Sequence, residues 1–285
     1  MNLVKYQVDA FADNVFEGNP AAVIPLTKWL PESTMQNIAM ENNLSETAFF
    51  IRKEDHFHIR WYTPTSEVDL CGHATLASAF VIYNFIEKFD EIKFESRSGD
   101  LFVKRTDPFF TLNFPVRNPK PINPDHKLIE LFTVKPVEVL FDKSLLIVFE
   151  KEDDVVNMNF EIRKLLNFKT HGAIITAPGN QVDFVSRFFA PDVGIDEDPV
   201  TGYAHTILTP YWSKKLNKKR LNAVQVSKRK GKLICEIDNE LWIIDLKTSN
   251  HLQTTYDLQT AVYTQAYEEN SGKKVDRRGI LWLKS

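Results

Sequence analysis

The chain has 285 residues, of which 43% are hydrophobic and 26% charged, as in an ordinary globular protein. Its formal net charge of −3 argues against the whole chain being a nucleic-acid or membrane-surface binder. Cys71 and Cys235 lie far apart in the sequence, which argues against a disulfide framework or a zinc site.

Residues 3–11 alternate apolar and polar side chains, a pattern that predicts a β-strand and not a signal peptide. No stretch is long and apolar enough to span a bilayer, so we expect a cytoplasmic protein with no membrane partner. Turn-forming residues at 16–20 lead into an apolar strand at 21–26, and a plain hairpin turn is the simpler interpretation of them. Residues 31–42 predict a helix with Pro31 in its first turn.

Glu46 begins the next predicted strand, which pairs with residues 57–62 as a hairpin. Glutamates are mostly exposed, which makes a loop carboxylate the commoner outcome. The apolar neighbours Leu44, Ala48 and Phe49 suit instead a partly desolvated carboxyl group with a raised pKa, which a general base near neutral pH needs. The sequence leaves both interpretations open.

Two stretches of the same kind organise the chain. Residues 67–75 turn at Gly72 and enter a helix without charge from residue 74 to 86, which should therefore be buried. Residues 198–206 turn at Gly202 and lead into an apolar run at 207–212. A helix start exposes unpaired N–H groups with partial positive charge, and glycine lets a ligand approach the backbone. Two such starts predict two related lobes that face one anionic ligand.

The proline-rich residues 115–125 predict a linker between the lobes. The predicted elements of the second lobe follow an order similar to that of the first. They include an amphipathic helix at 155–166 and a hairpin at 232–238 and 241–247. A helix is predicted at 255–270 and a short strand at 279–283. Basic residues concentrate between 214 and 232, which suits nucleic acid, but a solvated helix end and turn is favoured because aromatic residues are not interleaved.

Four motifs in order resemble the PhzF family of phenazine-biosynthesis-type isomerases, relatives of diaminopimelate epimerase. They are Phe16-x-Gly18-Asn19-Pro20-Ala21-Ala22-Val23, Ser45-Glu46-Thr47-x-Phe49, Cys71-Gly72-His73-Ala74-Thr75-Leu76-Ala77 and Glu197-Asp198-Pro199-Val200-Thr201-Gly202-x-Ala204-His205. The resemblance implies an α+β fold of two pseudo-symmetric lobes, each an antiparallel barrel-like sheet around a central helix, with the active site between them. It also implies a small anionic metabolite as ligand, no metal, no organic cofactor and frequently a homodimer.

Residue by residue, the resemblance assigns catalytic roles to Glu46 as the proton-shuttling acid and to His73 and Asp198, which face it across the cleft. The expected substrate-binding residues are Asn19, Gly72, Thr201, Gly202 and Tyr203. The two glycines would hold the substrate carboxylate with backbone N–H groups. The reaction implied is removal of a proton next to a carboxylate or carbonyl and its return elsewhere.

Two residues depart from the patterns of the family and its relatives. Many members have a small residue where this chain has Tyr203, and a phenol there would shrink the pocket or add a hydrogen-bond donor. Cys71 has the position of one of two epimerase cysteines, but Thr201 or Asp198 stands opposite. A two-thiol epimerase is therefore not expected, and Cys71 should be a packed residue.

The C-terminal segment resembles another family. Residues 241–249 followed by Gln259-x-x-x-Tyr263 are similar to RecB-like PD-(D/E)xK nucleases, in which Asp245 and Lys247 would serve a magnesium site. Such a site needs an acid on the neighbouring strand. The position expected for it holds Lys232, which has the wrong charge, and Glu236 would substitute if the strand register allows.

The predicted domains are an N-terminal lobe at 1–118, a C-terminal lobe at 119–250 and a C-terminal extension of nuclease-like sequence at 251–285. The sequence favours a cofactor-independent isomerase. The alternatives are a metal-dependent nuclease or DNA-binding activity, and a non-catalytic small-molecule binder on the same fold.

Overall fold

The structure, a computed structural model, describes residues 3–106, 108–237 and 241–245. Two curled sheets each wrap around one helix. The first sheet contains β1 (Tyr6–Ala10), β2 (Asn19–Leu26), β3 (Glu46–Arg52), β4 (Phe57–Tyr62), β5 (Glu67–Val68), β6 (Glu91–Ser96), β7 (Gly99–Thr106) and β8 (Phe109–Phe114). Its helices are α1 (Glu32–Asn42), after β2, and α2 (Gly72–Val81), after β5.

The second sheet begins within residues 115–125, where the linker was predicted. Residues 120–121 already pair with a strand of this sheet. Its strands are β9 (Lys120–Pro121), β10 (Glu138–Phe141), β11 (Leu145–Val148), β12 (Ala173–Pro178), β13 (Phe184–Ala190), β14 (Ile195–Asp198), β15 (Arg220–Gln225), β16 (Gly231–Ile237) and β17 (Leu241–Asp245). Its helices are α3 (His126–Ile129), α4 (Glu152–Val156) and α5 (Gly202–Leu216), with short 3-10 turns at Ile162–Asn167 and Pro191–Val193.

The two sheets share one order of strand pairing. From β1 to β8 the main pairings run antiparallel, parallel, antiparallel, parallel, antiparallel and antiparallel. The same series runs from β10 to β17. Each parallel pair is connected through a helix, α1 and α2 in the first sheet and α4 and α5 in the second, which a tight hairpin cannot replace. The predicted α+β fold of two pseudo-symmetric lobes is confirmed, with two parallel pairs in each otherwise antiparallel sheet.

The last strands of the two sheets join them. Strand β17 forms the predicted hairpin with β16, and its other edge pairs antiparallel with β8 of the first sheet. The segments predicted at 255–270 and 279–283 lie outside the described residues.

Helix α2 is buried over its whole length, as its uncharged sequence predicted. The uncharged run continues into a π-helical turn, Ile82–Ile86, and there the prediction of burial is wrong. Phe85 is 46% exposed and Ile86 41% exposed, so the buried part of the helix ends before the apolar run does.

The single amphipathic helix predicted at 155–166 is wrong. Helix α4 ends at Val156, and a separate 3-10 turn begins at Ile162. Arg187 on β13 donates to the carbonyls of Val155 at 3.3 Å and Met158 at 2.7 Å, which satisfies the backbone outside a helix. That partner is distant in sequence, so helical periodicity alone could not indicate the break.

The main core lies between the sheets and the two central helices. It combines side chains of both lobes, including Leu76 and Phe80 from α2 and Ile207 and Trp212 from α5. A fully buried side chain of this size stabilises the fold by about 1.5–3 kcal/mol. Smaller cores lie beneath α1 and α4 on the outer faces. This shared core fixes the starts of α2 and α5 relative to each other.

Candidate active site

The first turns of α2 and α5 lie against each other. A Cβ atom added to Gly72 would stand 3.6 Å from the Cα of Gly202. The same point lies 2.9 Å from the ring of Phe114, the last residue of β8. The residues before the helices, Cys71 and Thr201, are extended, and no side chain caps either helix. The first-turn N–H groups of both helices are therefore concentrated in one region, as the sequence predicted.

Glu46 lies at this junction, at the beginning of β3. Its Oε2 is 3.3 Å from Nε2 of His73, and the two side chains are 13% and 4% exposed. Burial first, and then the charge of Asp198, raise the pKa of Glu46 to about 8, although a hydrogen bond with Cys71 opposes the shift. Of the two interpretations that the sequence left open, the structure therefore favours the desolvated carboxyl group.

Asp198 approaches from the second lobe at the end of β14. Asn19 Nδ2 donates to its Oδ1 at 2.8 Å and to the carbonyl of Val200 at 2.9 Å, and the Thr201 hydroxyl donates to Oδ2. Burial raises the pKa of Asp198 to about 6, because these hydrogen bonds only partly offset the loss of water. Asn19 Nδ2 also lies 3.3 Å from Nδ1 of His73. Asn19 thus bridges the two lobes at the site.

Tyr203 turns its phenol towards the second sheet. Its hydroxyl is 3.2 Å from the Oγ of Ser144, which is buried just before β11. The guanidinium of Arg117 lies 5.5 Å from the centre of the ring. The phenol hydroxyl therefore has a hydrogen-bonding partner within the protein.

Gln225 is a site residue that the sequence analysis did not identify. It is fully buried on β15, accepts the N–H of Thr201 at 2.8 Å and donates to the carbonyl of Asp198 at 2.7 Å. It therefore fixes the backbone on both sides of the turn before α5. A lone amide in a strand with buried apolar neighbours is the signal that could have indicated it.

Arg229 was also missed, because it belongs to the basic stretch interpreted as solvated. Its guanidinium donates to the carbonyls of Gly18 and Glu17 at 2.9 Å each and to Asp9 at 2.7 Å. Arg229 thus holds the turn that carries Asn19, which lies in the other lobe.

Other basic side chains of residues 214–232 also have acidic partners. The pairs are Lys215–Glu138, Lys218–Asp183, Arg220–Glu236 and Lys232–Asp13. These pairs offset part of the positive charge, in keeping with a solvated surface. No helix in the described part of the chain has the length and apolarity to cross a membrane.

The nuclease-like arrangement lacks its expected acid. Leu233 lies opposite Asp245 in the strand register, whereas Glu236 lies opposite Trp242 and forms an ion pair with Arg220. The prediction that Glu236 supplies the missing acid is therefore wrong. Lys247 and the Gln259-x-x-x-Tyr263 motif lie outside the described residues.

Comparison with known proteins gives one family over most of the chain. A family model described as phenazine biosynthesis-like protein, PhzC-PhzF, matches residues 8–251. An uncharacterized isomerase of Pseudomonas aeruginosa is 43% identical over 262 residues, which are 90% of this chain and 100% of that protein. The match includes the segment at 241–249, and the nuclease-like interpretation finds no support in these comparisons.

Solved structures have the same fold. The crystal structure of a PhzF family protein from Enterococcus faecalis superposes with a TM-score of 0.82 and 44% identity, covering 86% of this chain and 95% of that chain. A predicted epimerase from Pseudomonas aeruginosa has a TM-score of 0.67 at 16% identity, covering 89% and 100%, and this likeness concerns the fold alone.

Proposed function

Because the chain belongs to the PhzC-PhzF family of phenazine biosynthesis-like proteins, we propose that it is a cofactor-independent isomerase acting on a small anionic metabolite. It moves a proton at a carbon next to a carboxylate or carbonyl group. The observation that carries this proposal is the Glu46 carboxyl group, buried beside two helix starts with its pKa raised to about 8. A group that titrates near neutral pH can both take and return a proton.

The substrate carboxylate would lie at the starts of α2 and α5, where backbone N–H groups of Gly72 and Gly202 carry partial positive charge. Glu46 would take a proton from the neighbouring carbon, and the electron pair left behind would move onto the carboxylate or carbonyl oxygen. The same N–H groups would stabilise that oxygen, so the protein itself supplies the electrostatic stabilisation. Return of the proton to a different carbon, or to the other face, completes an isomerisation.

His73 and Asp198 would both assist the Glu46 carboxyl group. His73 contacts it directly, at 3.3 Å, and Asp198 raises its pKa through like charge. Asn19 and Thr201 would keep Asp198 in position through their hydrogen bonds. Tyr203 would define one boundary of the substrate pocket. We also propose that the protein forms a homodimer and is cytoplasmic.

Solvent deuterium exchange tests this proposal. The parent protein is incubated in D₂O with a panel of small carboxylates that carry an acidic C–H group, and NMR follows deuterium at carbon. Glu46→Gln should lower the exchange of the accepted compound by at least about 10²-fold, the scale of one general acid–base group. Glu41→Gln, which changes an exposed glutamate on α1, is the matched control and should leave exchange unchanged.

Equal exchange in the parent and in Glu46→Gln would exclude Glu46 as the base. A compound that binds at the site but exchanges no deuterium in the parent would instead support a non-catalytic binder.

A further inference from the structure

Three metal-binding side chains of different chemistry meet beside the helix starts. Glu46 from β3 and Cys71 and His73 from the start of α2 each offer one ligand atom, and these atoms lie within 4.8 Å of one another. The sequence argued against a zinc site because its two cysteines are far apart. That argument considered only the two cysteines, and only the fold brings Glu46 to the turn that carries Cys71 and His73.

Two pairs of donor atoms in this cluster lie about as far apart as neighbouring ligands of a tetrahedral cation, one pair at each nitrogen of the His73 ring. Cys71 Sγ is 3.5 Å from His73 Nδ1, and Glu46 Oε2 is 3.3 Å from His73 Nε2. Ligands at the usual Zn–S and Zn–N distances stand about 3.5 Å apart in a tetrahedron. Only one ring nitrogen would bind the cation, so the three ligand atoms, now within 4.8 Å of one another, would have to move closer together around it.

The donor set favours soft or borderline cations over hard ones. Thiolate and imidazole ligands suit Zn²⁺ and Co²⁺, whereas Mg²⁺ prefers sites made almost entirely of oxygen atoms. The neighbourhood also contains Asp198, whose charge acts on Glu46, so a cation would offset negative charge in a largely buried region. Three protein ligands leave the fourth position for water, as in open zinc sites.

We propose that Glu46, Cys71 and His73 form a binding site for a thiophilic divalent cation such as Zn²⁺, and that the bound cation blocks proton transfer. The cation would occupy the ligand atoms of Glu46 and His73 that proton transfer uses. Binding of the cation does not rest on the proposed isomerase activity, because the same three donors would hold it if Glu46 had no catalytic role.

Cobalt binding to the full chain tests the site directly. Because Cys71 and Cys235 are the only cysteines in the sequence, a thiolate-to-cobalt charge-transfer band must come from one of them. We expect the parent protein to develop this band in the near ultraviolet as Co²⁺ is added, at one equivalent of thiolate-bound metal. Zn²⁺ should remove the band and Mg²⁺ should not.

Cys235→Ser is the matched control, since Cys235 is also a buried cysteine but lies on β16 outside the cluster. Cys235→Ser should keep the band, whereas Cys71→Ser should lose it. Cys71→Ser should also bind Zn²⁺ at least about tenfold more weakly, because even the loss of a residue that only supports a metal ligand lowers metal affinity by that factor. His73→Gln should weaken binding similarly.

The absence of a thiolate band in the parent and in Cys235→Ser at saturating Co²⁺ would overturn the proposal without requiring that Cys71→Ser folds. A band lost in Cys235→Ser and kept in Cys71→Ser would also overturn it. If a substrate is identified by deuterium exchange, Zn²⁺ at one equivalent should abolish its exchange, and full exchange with the cation bound would overturn the inhibitory part alone.

Discussion

Glu46 is a carboxyl group whose surroundings favour its protonated form. Most of the water around it is removed, and the negative charge of Asp198 also raises its pKa. Its neighbour Cys71 is affected in the same way, because burial and the charge of Glu46 raise the pKa of the thiol. The ionised form of Glu46 is therefore less stable in the folded protein than in the unfolded chain.

This environment makes the stability of the protein depend on pH. The pKa of Glu46 rises from 4.5 to about 8 on folding, so its protonated form contributes stability below about pH 4.5 that is lost as pH rises through about 8. Glu46→Gln has no proton to lose. We expect its unfolding free energy, relative to the parent, to increase between about pH 4.5 and 8.

Urea denaturation at several pH values in this window measures the difference. Asp198 is shifted in the same direction but is present in both proteins. A difference that stays constant over the window would show that Glu46 is not desolvated as described, whatever its catalytic role.

At the scale of elements, the junction of α2 and α5 depends on two glycines that differ in the space around them. A Cβ on Gly72 would stand 2.9 Å from the ring of Phe114, whereas a Cβ on Gly202 would meet no atom closer than 3.6 Å. Both positions are helical, so alanine would otherwise stabilise either helix by up to about 1 kcal/mol.

We therefore expect Gly72→Ala to destabilise the fold, because the overpacking cost of about 1–3 kcal/mol opposes the gain in helix propensity. Gly202→Ala, the equivalent change in the second lobe, should be neutral or stabilising. Chemical denaturation of both variants gives the comparison. Equal stabilities for the two variants would mean that the Phe114 ring moves without cost.

The same scale shows what the sequence could and could not predict. Apolar runs after Gly72 and Gly202 indicated the two central helices, because burial of a helix depends mainly on its own side chains. The break in the predicted helix at 155–166 was not predictable from periodicity, because two carbonyls there accept hydrogen bonds from Arg187 on a strand far along the chain. The sequence did not indicate Gln225 and Arg229 as site residues for the same reason, since their partners are backbone groups distant in sequence.

At the scale of the whole molecule, the two lobes are held together by side chains as well as by the shared core. Arg229 in the second lobe donates to two carbonyls and one carboxylate of the first. Asn19, in the strand that follows this turn, reaches back to Asp198. The position of the site groups thus depends on contacts that run in both directions between the lobes.

Arg229→Met should reduce the unfolding free energy by about 2 kcal/mol, because it removes hydrogen bonds of a charged donor and leaves their acceptors without it. Lys228→Met is the control, as the neighbouring side chain is exposed and should change stability by less than about 0.5 kcal/mol. Urea denaturation compares them. If both variants matched the parent, Arg229 would contribute no net stability to the lobe contact.

The pairing of β8 with β17 has a consequence for how the protein is made. Phe114, whose ring lies under both helix starts, is paired with Leu241 in this register. On the ribosome, the whole first lobe emerges well before residues 241–245, so the outer edge of β8 waits for its partner while residues 115–240 are made. Closing so long a stretch of chain is slow, and an unpaired strand edge can associate with another chain meanwhile. The nascent protein is therefore exposed to misassembly at the strand that supports its candidate active site.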